Sequence, residues 1–321
     1  MSVQNARNQI LYEYFIMKIK HCRFCLVIFL CIVLAVFAGC QKDKMKYDKK
    51  YIHYGTLTDI DGNFYATIKL GQREWMAENL RVTKYNDGKD IQTGLNSAEW
   101  FDTKNGAYAI FPHEDIDGLD SADEVIDNYG LHYNWYTVES GNLCPAGWRI
   151  PEPGDWEALL WHLIDNNEHI EEENVGSSLK SCRQADSPLG GECNTSEHPR
   201  WLPDGVDYFA LEMKQVFPEL DNLTGPVNTS LYLAGTDEFG FSAHPAGIYI
   251  PDFHYGLGYL SKFWTDAKTV QDIPVTSECG QEIISTILTV AHQDINNGPD
   301  LYSSFTIIGK GLPVRCVRGE P

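Results

Sequence analysis

Apolar and polar positions alternate along this chain with three distinct periods, and each period predicts a different kind of element. The clearest is helical: Trp156, Leu159, Leu160, Leu163 and Ile164 recur at i, i+3, i+4, i+7 and i+8, the spacing of one buried helix face. Pro153 suits the first helical position, Asp155 and Glu157 bring negative charge to the first turn, and Asp165-Asn166-Asn167 ends the run. Glu152 stands at the N-cap position, where Glu is a weak cap, so a frayed or shifted start is expected. A shorter helix is expected over about Glu171 to Leu179. From Gly55 to Leu70 the pattern is strand, turn, strand, with Asp59-Ile60-Asp61-Gly62-Asn63 between the two runs. Asp-x-Asp-Gly-Asn has the look of a calcium loop, but the remaining ligands are missing, and a hairpin turn with Gly62 at positive φ is the better reading.

Beyond Asp207 the chain is strand-like and punctuated by glycine. Candidate strands are Leu231 to Ala234, Phe239 to Ala243, Tyr259 to Thr265, Ile283 to Ala291 and Phe305 to Val317. Short strands with one strong helix predict an α+β fold, as one domain or one domain with large insertions. Pro313 cannot donate to a ladder, so the last strand should carry a bulge or an edge position there.

The third pattern is a continuous apolar run near the start. Lys18, Lys20 and Arg23 precede it, it extends from Cys25 to Ala38, and Phe37-Ala38-Gly39-Cys40 places small residues before a cysteine. This is the design of a lipoprotein signal, and the run is shorter than the ~20 residues of a spanning helix. We read residues 1–39 as the signal peptide, with Met17 as the expected true start. Cys40 is then the lipidated residue, and residues 40–53 hold it and a polar tether. The expected location is the cell envelope, at the outer membrane, with the lipid anchor as the membrane contact.

Charge narrows the partners. Arg7, Lys18, Lys20 and Arg23 of the 25 Lys and Arg residues, and only Glu13 of the 45 Asp and Glu residues, lie before Cys40, leaving a net charge of −23 from Gln41 onward. Such a surface repels phosphates and argues against nucleic-acid partners. It also offers carboxylates to divalent cations.

Four stretches read as parts of one module: Trp75-Met76-Ala77-Glu78-Asn79-Leu80, Cys144-Pro145-Ala146-Gly147-Trp148-Arg149-Ile150-Pro151, Gly235-Thr236-Asp237-Glu238-Phe239-Gly240-Phe241-Ser242-Ala243 and Val314-Arg315-Cys316-Val317-Arg318. In order and wording the chain from about Tyr54 to Arg318 resembles the Fibrobacter succinogenes major paralogous domain, a family of bacterial surface-associated lipoproteins. The resemblance implies a C-type-lectin-like arrangement with long loops and paired termini, and an appearance shared with sulfatase-modifying factors. It implies that Glu78 and Asn79 are fixed polar residues bonding neighbouring loops. Cys144 and Cys316 sit in two of the words, and a bridge between them would join the middle of the fold to its last strand. The turn-rich stretch Arg183 to Glu192 separately permits a local bridge between Cys182 and Cys193, which leaves Cys279 odd.

Candidate chemistry is sparse. Asp115, Asp117, Asp120 and Asp123 form the densest run of oxygen ligands, and calcium is the cofactor they would take; a solvated acidic loop looks the same, and Asp117-Gly118 breaks the spacing of a twelve-residue calcium loop. Phe253, Tyr255, Tyr259 and Trp264 lie among Gly256 and Gly258, as in loops that present rings to an envelope glycan or a protein, although core packing is the default for such rings. His244 and His254 are a pair that the fold could bring together. The sugar-binding tripeptides of C-type lectins are missing, and Trp264-Thr265-Asp266 only partly echoes one. There is no Walker A loop, His-Glu-x-x-His or Gly-x-Ser-x-Gly, and Ser242 is expected to be structural. The expected function is a lipid-anchored envelope protein with a non-catalytic binding or display domain. The alternative is an enzyme related to sulfatase-modifying factors or acting on envelope glycans.

Overall fold

The computed structural model describes residues 54–181, 198–201, 235–252, 254–276, 282–296, 301–307 and 309–319. The signal, Cys40, the Cys182 and Cys193 pair, Cys279, the strand expected at Leu231 to Ala234, and Phe253 lie outside them. What is described is an α+β fold of mixed helices and mainly antiparallel strands.

The first sheet runs in the order β1 (Tyr54–Thr58), β2 (Phe64–Leu70), β3 (Arg73–Met76) and β11 (Val317–Arg318). Its opening hairpin pairs Thr58 with Phe64, and the side chain of Asp59 organises the turn. One carboxylate oxygen of Asp59 accepts the amides of Asp61 and Asn63 at 2.9 Å, and the other accepts the Tyr65 hydroxyl at 2.6 Å. Gly62 closes the turn at φ 87°, a conformation that a side chain would oppose. Asp61 faces away from this turn and takes the amide and hydroxyl of Thr83 and the ammonium of Lys84. The expected hairpin is present.

The strong helix is α4, which runs Pro153–Asn166 after the short helices α1 (Ser97–Asp102), α2 (Ala122–Tyr129) and α3 (Trp135–Glu139). Trp156, Leu159 and Leu163 are buried against Trp75, Phe241 and Phe263. Each such side chain contributes about 1.5–3 kcal/mol by leaving water. The start of α4 is not shifted: Glu152 is the N-cap, and Asp155 compensates for the weak cap. Its buried carboxylate accepts the Glu152 amide at 2.8 Å, Arg73 Nε at 2.7 Å and Arg149 Nη2 at 2.9 Å. Burial alone would raise the Asp155 pKa, but the two guanidiniums and the amide outweigh it and hold the carboxyl below its usual range. The second expected helix is only half formed, as α5 (Val175–Leu179), since Glu171 to Asn174 form a turn.

The second sheet follows the order β10 (Leu301–Ile307), β9 (Glu282–Asn296), β8 (Leu260–Thr276), β6 (Ala246–Ile248) and β7 (Tyr255–Leu257). Strands β8 and β9 are longer than their apolar runs, with a bulge between Trp264 and Lys268. A third, two-stranded sheet joins β4 (Tyr108–Ala109) to β5 (His132–Tyr133).

Two expected strands are corrected. Phe239 to Ala243 is a buried turn, because the Ser242 amide is held by Asp237 Oδ1 at 2.8 Å and two of its carbonyls are taken by a side chain, not by a ladder. Phe305 to Val317 is not one strand: it is divided between the end of β10 and β11 by a buried connection, Gly311 to Cys316. Pro313 lies in that connection, where its carbonyl accepts the Trp264 amide at 3.3 Å, so it needs neither bulge nor edge.

Candidate functional site

The four words meet at one place, and Arg315 is the reason. Its guanidinium is fully buried and donates to Asn79 Oδ1 at 2.8 Å, the Met76 carbonyl at 3.1 Å, the Phe241 carbonyl at 2.5 Å and the Ser242 carbonyl at 2.6 Å. It also lies over the rings of Phe241 and Phe263, 4.9 and 5.5 Å from their centroids. Burial pushes its pKa down to about 9, with Glu78 and Asp237 opposing, which leaves it charged at neutral pH. The Asn79 amide donates onward to the Tyr129 carbonyl at 2.9 Å. Glu78 accepts the Ala66 amide and Arg81, so both polar residues bond neighbouring segments as expected. The remaining word is tied in by a disulfide between Cys144 and Cys316, across a sequence separation of 172. This joint uses its polar groups on one another and is architecture.

A different region gathers the residues that sequence reading had separated. The β6–β7 hairpin pairs Ala246 with Leu257 and Ile248 with Tyr255, and so carries the loop from Tyr249 to His254. Next to it lies the acidic stretch, which begins with a 3-10 turn at His113–Asp115 and continues into α2. The two are joined where His254 Nε2 donates to Asp115 Oδ2 at 2.6 Å. The His254 ring meets Phe111 edge-on at 4.7 Å and lies nearly parallel to Tyr249 at 6.4 Å. Tyr249 in turn meets Trp100 at 5.0 Å. Beneath them His132 is fully buried, donates through Nε2 to the Ala246 carbonyl at 2.9 Å, and is pushed down to about 4 by burial.

The far end of the acidic stretch is held by a second histidine. His198 accepts the Tyr129 hydroxyl at Nδ1, 2.6 Å, and donates from Nε2 to the Asp117 carbonyl, 2.9 Å. Burial lowers its pKa, favouring the neutral ring that this pair of bonds requires. Arg200 donates to the same carbonyl at 3.2 Å. Neither lysine nor arginine occurs from Asn105 to Trp148 or from Gly235 to Ser261, so the two loops meet as an acidic and aromatic surface.

Asp115 is engaged by His254, the Asp117 side chain points into solvent, and the Asp120 amide donates to Glu124 at 2.6 Å. Asp123 sits exposed in the first turn of α2, which Ser121 caps. These four aspartates do not converge, and among the described residues no three His, Cys, Asp or Glu side chains form a group that could hold a metal ion. Tyr259 and Trp264 are corrected from surface to core: both are buried, and Trp264 Nε1 donates to the Tyr133 carbonyl at 2.7 Å. Tyr255 is half-buried against the same core. Ser242 is buried with φ 53°, its backbone serving the arginine joint. The link between His254 and Asp115 escaped sequence reading because nothing in the chain marks a pair 139 residues apart.

The fold and these sites define a mixed α+β domain with a buried-arginine joint and an acidic, aromatic surface at one hairpin. Over residues 68–318 the chain matches the profile of the Fibrobacter succinogenes major domain, and it belongs to that family. No curated protein and no solved structure matches it.

Proposed function

We propose that this chain is a lipid-anchored envelope protein whose domain is a non-catalytic binding or display module, with the His254–Asp115 junction as its binding surface. The observation that carries the reading is that junction: the partly exposed rings of His254 and Tyr249, backed by the buried Phe111 and Trp100, are brought together with carboxylates from a distant segment on a surface free of lysine and arginine in both contributing stretches. Its ionisable groups are committed to one another, a rigid arrangement suited to recognition of an envelope glycan or protein. The anchor rests on the signal ending at Cys40. A C-type-lectin-like arrangement agrees with β1 and β11 sharing one sheet and with the long loops between short elements. The enzyme alternative would draw on the cysteines of the shared words, and Cys144 and Cys316 are joined to each other.

Two experiments test this. Replacing Cys40 by Ser should abolish fatty-acid labelling and release the chain from membranes; labelling that persists in the variant refutes the anchor. The lipidated chain in detergent should bind components of a glycan and protein array, and Asp115→Asn together with Tyr249→Leu should remove that binding while the melting temperature holds. Binding that survives both substitutions refutes the junction as the surface.

A further inference from the structure

We propose that the outward edge of α4, centred on Trp161, is the face this domain lays on the lipid bilayer, with the indole seated at the membrane–water interface. The inference rests on the proposed lipidation of Cys40 and adds the orientation that the anchor imposes. Trp161 is 43% exposed, whereas Trp75, Trp100, Trp135, Trp148, Trp156, Trp201 and Trp264 are all 8% exposed or less. It is therefore the single outward tryptophan of the eight in the chain. A lone exposed apolar residue is ordinary, but the helix that carries this one also borders the rim of a core cluster. Leu160 and Ile164 on the same helix, and Tyr54 at the start of β1, are half-buried around the rim of one core cluster.

The position of Tyr54 supplies the occupant. The tether from Gln41 to His53 ends where β1 begins, and Tyr54 pairs with Ile68 at the end of β2 that leads into the β2–β3 turn. That turn rests on α4: a Cβ at Gly71 would lie 3.1 Å from the ring of His162, the neighbour of Trp161. The tether thus joins the domain on the side that carries Trp161. Thirteen residues reach at most about 45 Å, so Tyr54 can lie no farther than that from the lipidated residue. Indoles favour this interface because the ring is apolar and its N–H finds water and headgroups. Glu157 and Asp165, both exposed, flank Trp161 by one helical turn on either side, so zwitterionic lipid is the surface this face suits. Of the other exposed large apolar residues, Ile60 and Phe64 lie at the tip of the opening hairpin, at the opposite end of β1 from the tether, and Phe101 lies on α1.

The test uses the full lipidated chain in phosphatidylcholine vesicles whose acyl chains carry bromine, a short-range quencher of tryptophan emission. The expected result is quenching of one tryptophan's share of the emission. That quenching should vanish in Trp161→Phe. Protein that floats with the vesicles but is not quenched overturns the inference and leaves the anchor standing. Quenching that appears only when Phe64→Trp is placed in the Trp161→Phe background also overturns it, since the hairpin tip would then be the membrane face. Protein that fails to float, as Cys40→Ser should, refutes the anchor and the orientation with it.

Discussion

Replacing Arg315 by Met tests whether the shared words of this family are joined by one cation. Two opposed effects set the sign. Burial holds the guanidinium well below the ordinary arginine range, at about 9, and this desolvation is a cost of roughly 5 kcal/mol at most that methionine would relieve. Against this, four buried acceptors lose their donor: Asn79 Oδ1 and the carbonyls of Met76, Phe241 and Ser242. Each buried polar group left unsatisfied costs about 1–3 kcal/mol, together roughly 4–12 kcal/mol. Loss of the stack on Phe241 and Phe263 adds about 1 kcal/mol. At the centre of these ranges the acceptors win, and the expected net loss is about 4 kcal/mol, a fall of roughly 8–16 °C in melting temperature. Arg315→Lys should recover only part of this, since a single ammonium cannot reproduce a planar fork directed at four acceptors. Urea denaturation with the disulfide intact, followed by tryptophan emission, measures both variants. Arg315→Met within 1 kcal/mol of wild type, or Arg315→Lys equal to it, would refute the reasoning.

The Cys144–Cys316 bridge closes a loop of 172 residues, and its removal by paired serine substitutions should destabilise by about 3–5 kcal/mol. Nonreducing peptide mapping should recover these two cysteines in one linked fragment; either one joined instead to Cys182, Cys193 or Cys279 contradicts the structure. His132 gives a pH dependence. Its folded pKa of about 4 lies below the ordinary 6.5, so as pH falls the unfolded chain takes up the proton first. Stability is fully present above pH 6.5 and declines as pH falls through about 4, by about 3 kcal/mol from this one group. His132→Gln should flatten that part of the stability profile relative to wild type, and an identical profile would show that the ring is not buried neutral.

Legibility from sequence followed the range of the interactions. Helix α4 was readable because its buried face is written in a spacing of three and four, and the first hairpin because Asp59 to Asn63 contains its own turn chemistry. The aromatic loop was readable only as a composition. Tyr259 and Trp264 have the same residue types as surface rings, and what separates them is the Tyr133 carbonyl and the core around them, supplied from far away in the chain. Phe239 to Ala243 failed as a strand for the same reason, since the carbonyls of Phe241 and Ser242 are taken by Arg315 and Ala243 alone bridges another segment, at Lys180.

By itself the sequence determined the α+β class, the family-like words, the negative charge and the expectation of an anchor at Cys40, because each is carried by neighbouring residues or by totals. Only the tertiary structure decided that the words converge on a buried guanidinium, that Cys144 reaches Cys316, and that His254 closes on Asp115. Those are pairings over 236, 172 and 139 residues. A hydrogen bond or a disulfide requires two groups within a few ångströms, and no local pattern specifies which distant residue the folded chain will bring there.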